Sequence, residues 1–303
     1  MHKNFLGYKM AKERLDKILT DKGFFETKSK AQAAIMAGDV KVDGVVITKA
    51  GFQIQPKENT IFEIKSMPFV SRGGFKLDKA IKAFNIDLTD KICLDAGAST
   101  GGFTDCMLQN GATKVYSVDV GHGQLAWSLR NDERVVCMEK TNFRYLTRDD
   151  IQDDLDFASV DVSFISLSKI LLPARKLLRD GGQMVCLIKP QFEAGKDKVG
   201  KKGVVREKSV HQEVIEKIYT LTEILGFQIL GLEYSPIKGP EGNIEYLIHI
   251  EKNPEENERT KEYTENLVES MLQEKIEQKA GFGREEGNLQ FIKEIVEKAH
   301  QSL

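Results

Sequence analysis

Four charged side chains in this sequence each interrupt or end an apolar stretch. Lys76 lies in SRGGFKL, Asp161 in SVDVSFISL, Lys189 in VCLIKPQFE and Glu245 in GNIEYLIHI. Lysines and carboxylates are rarely buried without a partner, so two ion pairs at the edge of a core would explain all four. The other reading is catalytic, because amines set among carboxylates are the material of general acid–base chemistry. Pro190 follows Lys189 directly, ends its strand and keeps the lysine at the strand's carboxyl edge.

A second feature stands beside these residues. An apolar run, 91–94, ends in Asp95; a loop of Gly97, Ala98, Ser99, Thr100, Gly101 and Gly102 follows, and then a helical pattern. This reads as a strand, a tight turn and a helix N-terminus, where a nucleotide-like ligand can lie against bare backbone. The loop is neither GxGxxG nor a P-loop with GKS or GKT. It therefore suits a ligand with an adenosine but no phosphate to cradle, and S-adenosylmethionine (SAM) fits. Asp95 and the six loop residues are the first cofactor-binding candidates. Asp119 ends the next strand, 24 residues after Asp95, where a carboxylate accepts hydrogen bonds from ribose hydroxyls. Asn142 follows the third strand and is a candidate to read the adenine edge. Asp161 ends the fourth and faces the methionine end.

The elements that must hold these residues alternate. Strands are predicted at 91–96, 114–119, 134–138, 155–161, 183–189, 227–234 and 244–251, and helices at 73–84, 101–110, 123–130, 165–179 and 208–225. Alternating βα units with apolar strands predict a mostly parallel sheet covered on both faces, a Rossmann-like α/β fold. The last two strands have no helix between them and are expected to pair antiparallel at one side. The tail, 253–303, carries 12 acidic and 7 basic residues. It reads as two amphipathic helices broken at 281–287, with Leu267, Leu272, Ile276, Phe291, Ile292, Ile295 and Val296 as the packing face.

The first 65 residues differ in character. Leu15, Ile18 and Leu19, then Ala33, Ala34 and Met36, fall at helical spacing within 12–22 and 29–37. Val40, Val42, Val45 and Ile47 alternate around Asp43-Gly44, a hairpin signal, and Ile61, Phe62 and Ile64 make one more strand. This small α+β unit holds 12 Lys/Arg against 8 Asp/Glu. Lys12, Arg14, Lys17, Lys28 and Lys30 are expected on its helices, either as a solvated face or as an RNA-backbone patch. Residues 1–9 read as an extension before a second start at Met10, and 66–70 as a linker.

The chain of 303 residues is 30% charged and 41% hydrophobic with a formal net charge of −2. That is the composition of a soluble globular protein, and any basic surface must be local. No secretory signal is expected, and no apolar run comes near the ~20 residues of a membrane span. Cys93, Cys106, Cys137 and Cys186 lack CxxC spacing and are expected as free thiols in a reducing, cytoplasmic compartment. The five histidines lack ligand spacing, so no metal is expected.

The series RLDKIL and TKSKAQAAIMAGDVKVDG resembles the S4 RNA-binding fold, with Ser29-Lys30 where Ser-Arg is usual. The segments VSRGGFKL, CLDAGASTGGFTD, VDVGHGQLAWSLRND, DVSFISL, IKPQFEAGKDKVGKKGVV and GNIEYL together resemble the TlyA, or hemolysin A-like, family of RNA ribose 2′-O-methyltransferases. The resemblance implies an S4-like domain at 1–65, an FtsJ-type SAM-dependent domain at 71–252 and a charged helical appendage at 253–303. It places the FtsJ-type tetrad on Lys76, Asp161, Lys189 and Glu245, with Lys189 as candidate base. SAM carries its methyl on a cationic sulfonium and needs no metal. The implied substrate is cytidine in ribosomal RNA or ribosomal subunits, with no membrane partner, and a monomer or weak dimer is expected. Arg72 and the basic loop Lys196, Lys198, Lys201 and Lys202 are further RNA-binding candidates, and Phe192 is a candidate to stack on a splayed base. The same scaffold could modify a base instead. Base methylation often uses an Asn/Asp-Pro-Pro-aromatic turn, and Asp161-Val162-Ser163-Phe164 departs from it. The hemolysin name raises a non-enzymatic, membrane-active alternative.

Overall fold

A computed structural model describes residues 12–25, 27–57, 59–65, 67–281 and 286–303. The expected extension at 1–9, Ser66 of the expected linker and residues 282–285 of the expected break lie outside the described residues. The chain divides into two compact units, Met1–Pro68 and Phe69–Leu303.

In the first unit β1 (Glu13–Arg14) leads into α1 (Leu15–Asp21), α2 (Lys28–Ala37), β2 (Val40–Val42), β3 (Val45–Val46), β4 (Gln53–Ile54) and β5 (Phe62–Ile64). Thr27 accepts the Lys30 N–H and starts α2. Asp43 and Gly44, at φ 50° and 80°, turn β2 into β3, which is the left-handed pair a two-residue hairpin demands. Leu15, Leu19, Ala31, Ile35 and Val40 form the core. Met36 was expected on the packing face of α2 but is exposed; Ala31 and Ile35 take that place. Lys12 and Arg14 were expected on the first helix. They precede it, because Glu13 and Arg14 pair with Ile54 and Gln53 in a short antiparallel ladder. Arg14 also grips buried Asp16 through Nε and Nη2 at 3.0 and 2.6 Å, and with the Gln32 amide holds that carboxyl down to about 2.

The second unit opens with α3 (Gly74–Phe84), followed by β6 (Ile92–Ala96), α4 (Gly102–Gln109), β7 (Lys114–Val118), α5 (Trp127–Arg130), β8 (Val135–Met138), β9 (Leu155–Val160), α6 (Leu171–Leu177), β10 (Leu178–Ile188), α7 (Pro190–Glu193), α8 (Lys208–Ile224), β11 (Phe227–Tyr234) and β12 (Tyr246–Lys252). The seven strands lie in the order β11-β12-β10-β9-β6-β7-β8. β10, β9, β6, β7 and β8 are parallel neighbours, and β12 runs antiparallel between β10 and β11. The apolar strands follow from burial on both faces: Cys93, Phe157, Val185, Leu187 and Leu247 face one core, while Leu94, Ala158, Cys186, Ile188 and Ile248 face the other.

The chain runs outward from β6 through β7 to β8, then returns to the other side of β6 as β9. That reversal opens a crevice at the carboxyl ends of β6 and β9. The helix expected at 123–130 shrinks to α5. Glu139 accepts the N–H groups of Gly123, Gln124 and Leu125, and Ala126 stays extended at ψ 140°, so regular helix begins only at Trp127.

The tail forms α9 (Asn257–Thr260), α10 (Glu265–Gly281) and α11 (Glu286–Ser302). Val268, Leu272, Ile292, Ile295, Val296 and Ala299 join the main core, whereas Leu267 and Phe291, expected there, are 44% and 43% exposed. All four cysteines are free thiols. Among the described residues no helix is long and apolar enough to cross a membrane.

Candidate active site

The turn after β6 is shaped by two contacts. Gly97 takes φ 87°, and a Cβ there would lie 2.7 Å from the Asp161 carbonyl oxygen, so bare backbone is required. Gly102 faces the segment that precedes α3; a Cβ would sit 2.3 Å from Ser71 Oγ and 2.8 Å from Gly74 N. Between them Ser99 donates its N–H to Asp119 Oδ2 at 2.8 Å, while Asp119 Oδ1 accepts from Gly121 N at 2.7 Å. Each Asp119 oxygen keeps a second acceptor site for a hydroxyl.

Not every sequence candidate reaches this cleft. Gly97, Ala98, Ser99 and Gly102 line it; Thr100 and Gly101 turn away. Thr100 O accepts from Ala126 N, and Gly101 backs onto Leu125 and Leu129. Asp95 is fully buried beneath the turn. Its Oδ2 accepts Thr104 N and Thr104 Oγ1 at 2.8 and 2.7 Å, and its Oδ1 accepts Ser159 Oγ at 3.2 Å. Burial pushes this carboxyl up to about 7, against the pull of Thr104 and Ser159. Asp95 therefore braces the start of α4 and does not face a ligand. Exposed Asn142 caps the short helix Phe143–Tyr145 by accepting Arg144 N at 3.1 Å.

The four charged residues meet where the sheet places them. Lys76 rises from the first turn of α3, Asp161 and Lys189 leave the ends of β9 and β10, and Glu245 precedes β12. Lys189 Nζ lies 2.5 Å from Asp161 Oδ1, and Lys76 Nζ lies 3.2 Å from Asp161 Oδ2 and 2.7 Å from Glu245 Oε2. Glu245 forms its ion pair with Lys76, not with Lys189. Lys76, Lys189 and Glu245 are buried, and the Asp161 side chain is 19% exposed. Burial pulls the Lys76 ammonium down, but Asp161 and Glu245 outweigh it and hold it above the usual lysine value. Burial likewise pushes Asp161 up, and the Lys189 and Lys76 charges overcome it and hold the carboxyl low. Lys76, Asp161 and Lys189 line a cleft of about 230 Å³, and Glu245 stands behind Lys76.

Three contributors were not read from the sequence. Ser163 Oγ accepts from Lys189 Nζ at 3.2 Å. Phe164 is 91% exposed, with φ 64° and its ring 5.2 Å from that of half-buried Phe192. Glu139 organises the loop beyond Asp119, and Arg130 with the three amides keeps its carboxyl far below the usual range. A charged residue three before Asn142, after a GHG loop, was the available signal for Glu139.

The basic candidates are divided. Lys12, Lys28, Arg72, Lys196, Lys201 and Lys202 are exposed. Arg14 is engaged by Asp16, Lys17 by Glu13 and Asp21, and Lys198 by Glu213. Lys30 is exposed on α2. The donor set fits a nucleoside-bearing ligand: bare backbone at Gly97 and Gly102, acceptor capacity at Asp119, and an ion-paired lysine across the cleft.

Residues 69–252 match the FtsJ-like methyltransferase family, and residues 13–59 match the S4 domain. A Bacillus subtilis protein provisionally named rRNA methyltransferase YqxC is 50% identical over 240 residues, 79% of this chain and 85% of the relative. The 16S/23S rRNA (cytidine-2′-O)-methyltransferase TlyA of Mycobacterium tuberculosis is 40% identical over 236 residues, 78% of this chain and 88% of the relative. A solved structure from Streptococcus thermophilus, provisionally named a hemolysin, is 43% identical, with 97% of each chain covered and a TM-score of 0.69. The chain belongs to the TlyA, or hemolysin A-like, family of FtsJ-like methyltransferases that carry an S4 domain.

Proposed function

We propose that this protein transfers the methyl group of SAM to a ribose 2′-hydroxyl of cytidine in ribosomal RNA. The observation that carries the reading is the Lys76–Asp161–Lys189–Glu245 cluster standing beside the bare-backbone turn at the switch point of the sheet. When bound, SAM supplies an electrophilic methyl on a sulfonium. The backbone of Gly97, Ala98, Ser99 and Gly102 would hold it, with Asp119 on the ribose hydroxyls and Asp161 toward the methionine end.

Lys189 Nζ, fixed by Asp161 and Ser163, is the group that meets the RNA hydroxyl. As a neutral amine it takes the proton; as an ammonium it stabilises the charge developing on oxygen. Lys76 stays charged, locks Asp161 from the far side and ties it to Glu245. The remaining task is alignment of oxygen and methyl. Phe164 and Phe192 offer a ring surface for a splayed base. The S4 unit and the exposed lysines at 196, 201 and 202 grip the RNA backbone, with the ribosomal substrate placing the activity in the cytoplasm.

The test is methyl transfer from labelled SAM to ribosomal subunits, with the modified position mapped. Lys189→Ala should bind SAM normally and lose transfer by a factor of about 100 or more. Lys189→Arg should fail as well, because a guanidinium is no base. A wild-type single-turnover rate in Lys189→Ala rejects the role of Lys189, and a methyl found on a base rejects ribose chemistry.

A further inference from the structure

Lys189 and Asp161 stand on two turns that leave the sheet side by side, and a third group ties those turns together. α7 begins one residue after Lys189 with Pro190 in its first turn, and its last residue is Glu193. The Glu193 side chain is buried. Its Oε2 accepts from Ser166 Oγ at 2.7 Å, and its Oε1 accepts from the Leu167 backbone N–H at 2.7 Å. Lys217 of α8 supplies the balancing cation, donating to the Glu193 carbonyl at 3.1 Å and lying 3.4 Å from Oε2.

The loop 161–167 is thereby fixed at both ends. At one end the Asp161 N–H donates to Ala96 O at 3.0 Å and the carboxylate pairs with Lys189. At the other end Ser166 and Leu167 hang on Glu193. Between these anchors lie Ser163, on the Lys189 amine, and Phe164, whose φ of 64° is strained for an aromatic residue. Such a conformation persists only where its surroundings over-determine it. Glu193 does not line the cleft, so it acts only through what it holds.

We propose that Glu193 is a positioning residue for methyl transfer: it clamps the 161–167 loop onto the Lys189 turn and so sets Asp161, Ser163 and Phe164 against the lysine before RNA arrives. The inference rests on the transfer reading above for its consequence, but not for the clamp itself.

Hydrogen exchange on the free full-length protein reads the clamp without RNA. Glu193→Ala should speed exchange at the Leu167 amide roughly tenfold or more, with the amides of β9 and β10 unchanged. Glu193→Gln keeps an oxygen acceptor and should recover most of that protection. Methyl transfer to ribosomal subunits reads the consequence. Glu193→Ala should lower kcat about tenfold while the SAM dissociation constant stays within about twofold, and Ser166→Ala should lower kcat about threefold. The double variant should be no slower than Glu193→Ala, because both changes break one clamp. Unchanged exchange at Leu167, kcat losses that multiply, or a kcat loss matched by loss of SAM affinity would each overturn the proposal. A wild-type protein that transfers no methyl to ribosomal RNA would sink the transfer reading, and the exchange result would still decide the clamp.

Discussion

Asp95 and Asp161 both sit at the ends of parallel strands, and their surroundings drive them in opposite directions. Burial raises Asp161, but two lysine charges reverse it and keep the carboxyl ionised. Asp95 has only hydroxyl and amide donors, so burial wins and its carboxyl rises to about 7. An unfolded aspartate titrates near 3.9, so between about pH 4 and 7 the folded state holds a proton that the unfolded state has lost. Stability contributed by this site therefore falls as pH rises through that window, by roughly a few kcal/mol. Asp161 has the opposite sign: its contribution is present above the unfolded value and disappears as pH falls through the folded one. Asp95→Asn keeps an acceptor for Thr104 and removes the charge. Its melting temperature should come closest to wild type below about pH 4 and exceed it at pH 8, with SAM affinity within about threefold. A tenfold loss of affinity at unchanged stability would mean that Asp95 touches the ligand after all.

The β6–α4 turn carries the next argument, because its geometry belongs to the element. Gly97→Ala would place a Cβ 2.7 Å from a backbone oxygen at φ 87°. Backbone cannot swing aside as a side chain can, so we expect a loss of about 2–4 kcal/mol and a drop in SAM affinity of about tenfold or more. Thermal melting and SAM titration check both, and a variant that behaves as wild type would show that the turn tolerates a side chain. That turn was legible in the sequence because small residues after an apolar run have few other uses. The tetrad was legible because a charge inside an apolar run demands a partner, but which partner was not: Glu245 meets Lys76 rather than Lys189. Pairing depends on α3 crossing toward β12, and no local pattern encodes that. Asp95 and Asp119 look equivalent as strand-end acids; side-chain direction sends Asp95 under α4 and Asp119 to the turn. The ladder of β1 and β4 is two residues long, too short to show a period. The shortened helix at α5 needed Glu139, which lies in another loop. Phe164 was hidden because a left-handed φ on an aromatic residue is set by its anchors, not by its type.

At the scale of the whole chain, the tail raises the question of where the catalytic unit ends. The FtsJ-like match stops at residue 252, yet α10 and α11 place Val268, Leu272, Ile292, Ile295, Val296 and Ala299 in the same core as β10 and β12. Buried Arg175 of α6 reinforces the junction, donating to Gly226 O, Asn253 O, Asn257 Oδ1 and Thr260 Oγ1 at 2.9–3.1 Å. Removing the tail would strip three of these four acceptors, those at Asn253, Asn257 and Thr260, from a buried guanidinium and expose the α8 face that the two helices cover. Each Leu, Ile or Val lost from a core costs about 1.5–3 kcal/mol, and a domain's net stability is only about 5–15 kcal/mol. A chain ending at Lys252 should therefore unfold or precipitate, whereas Leu267→Ser, at an exposed position of the same helix, should melt within about 2 °C of wild type. The first unit has its own core of Leu15, Leu19, Ala31, Ile35 and Val40, so its signals in the truncated chain should persist. Loss of both units together on truncation would contradict that independence. A truncated chain that melts like the full protein would make the tail a mere appendage, as its charge-rich composition suggests.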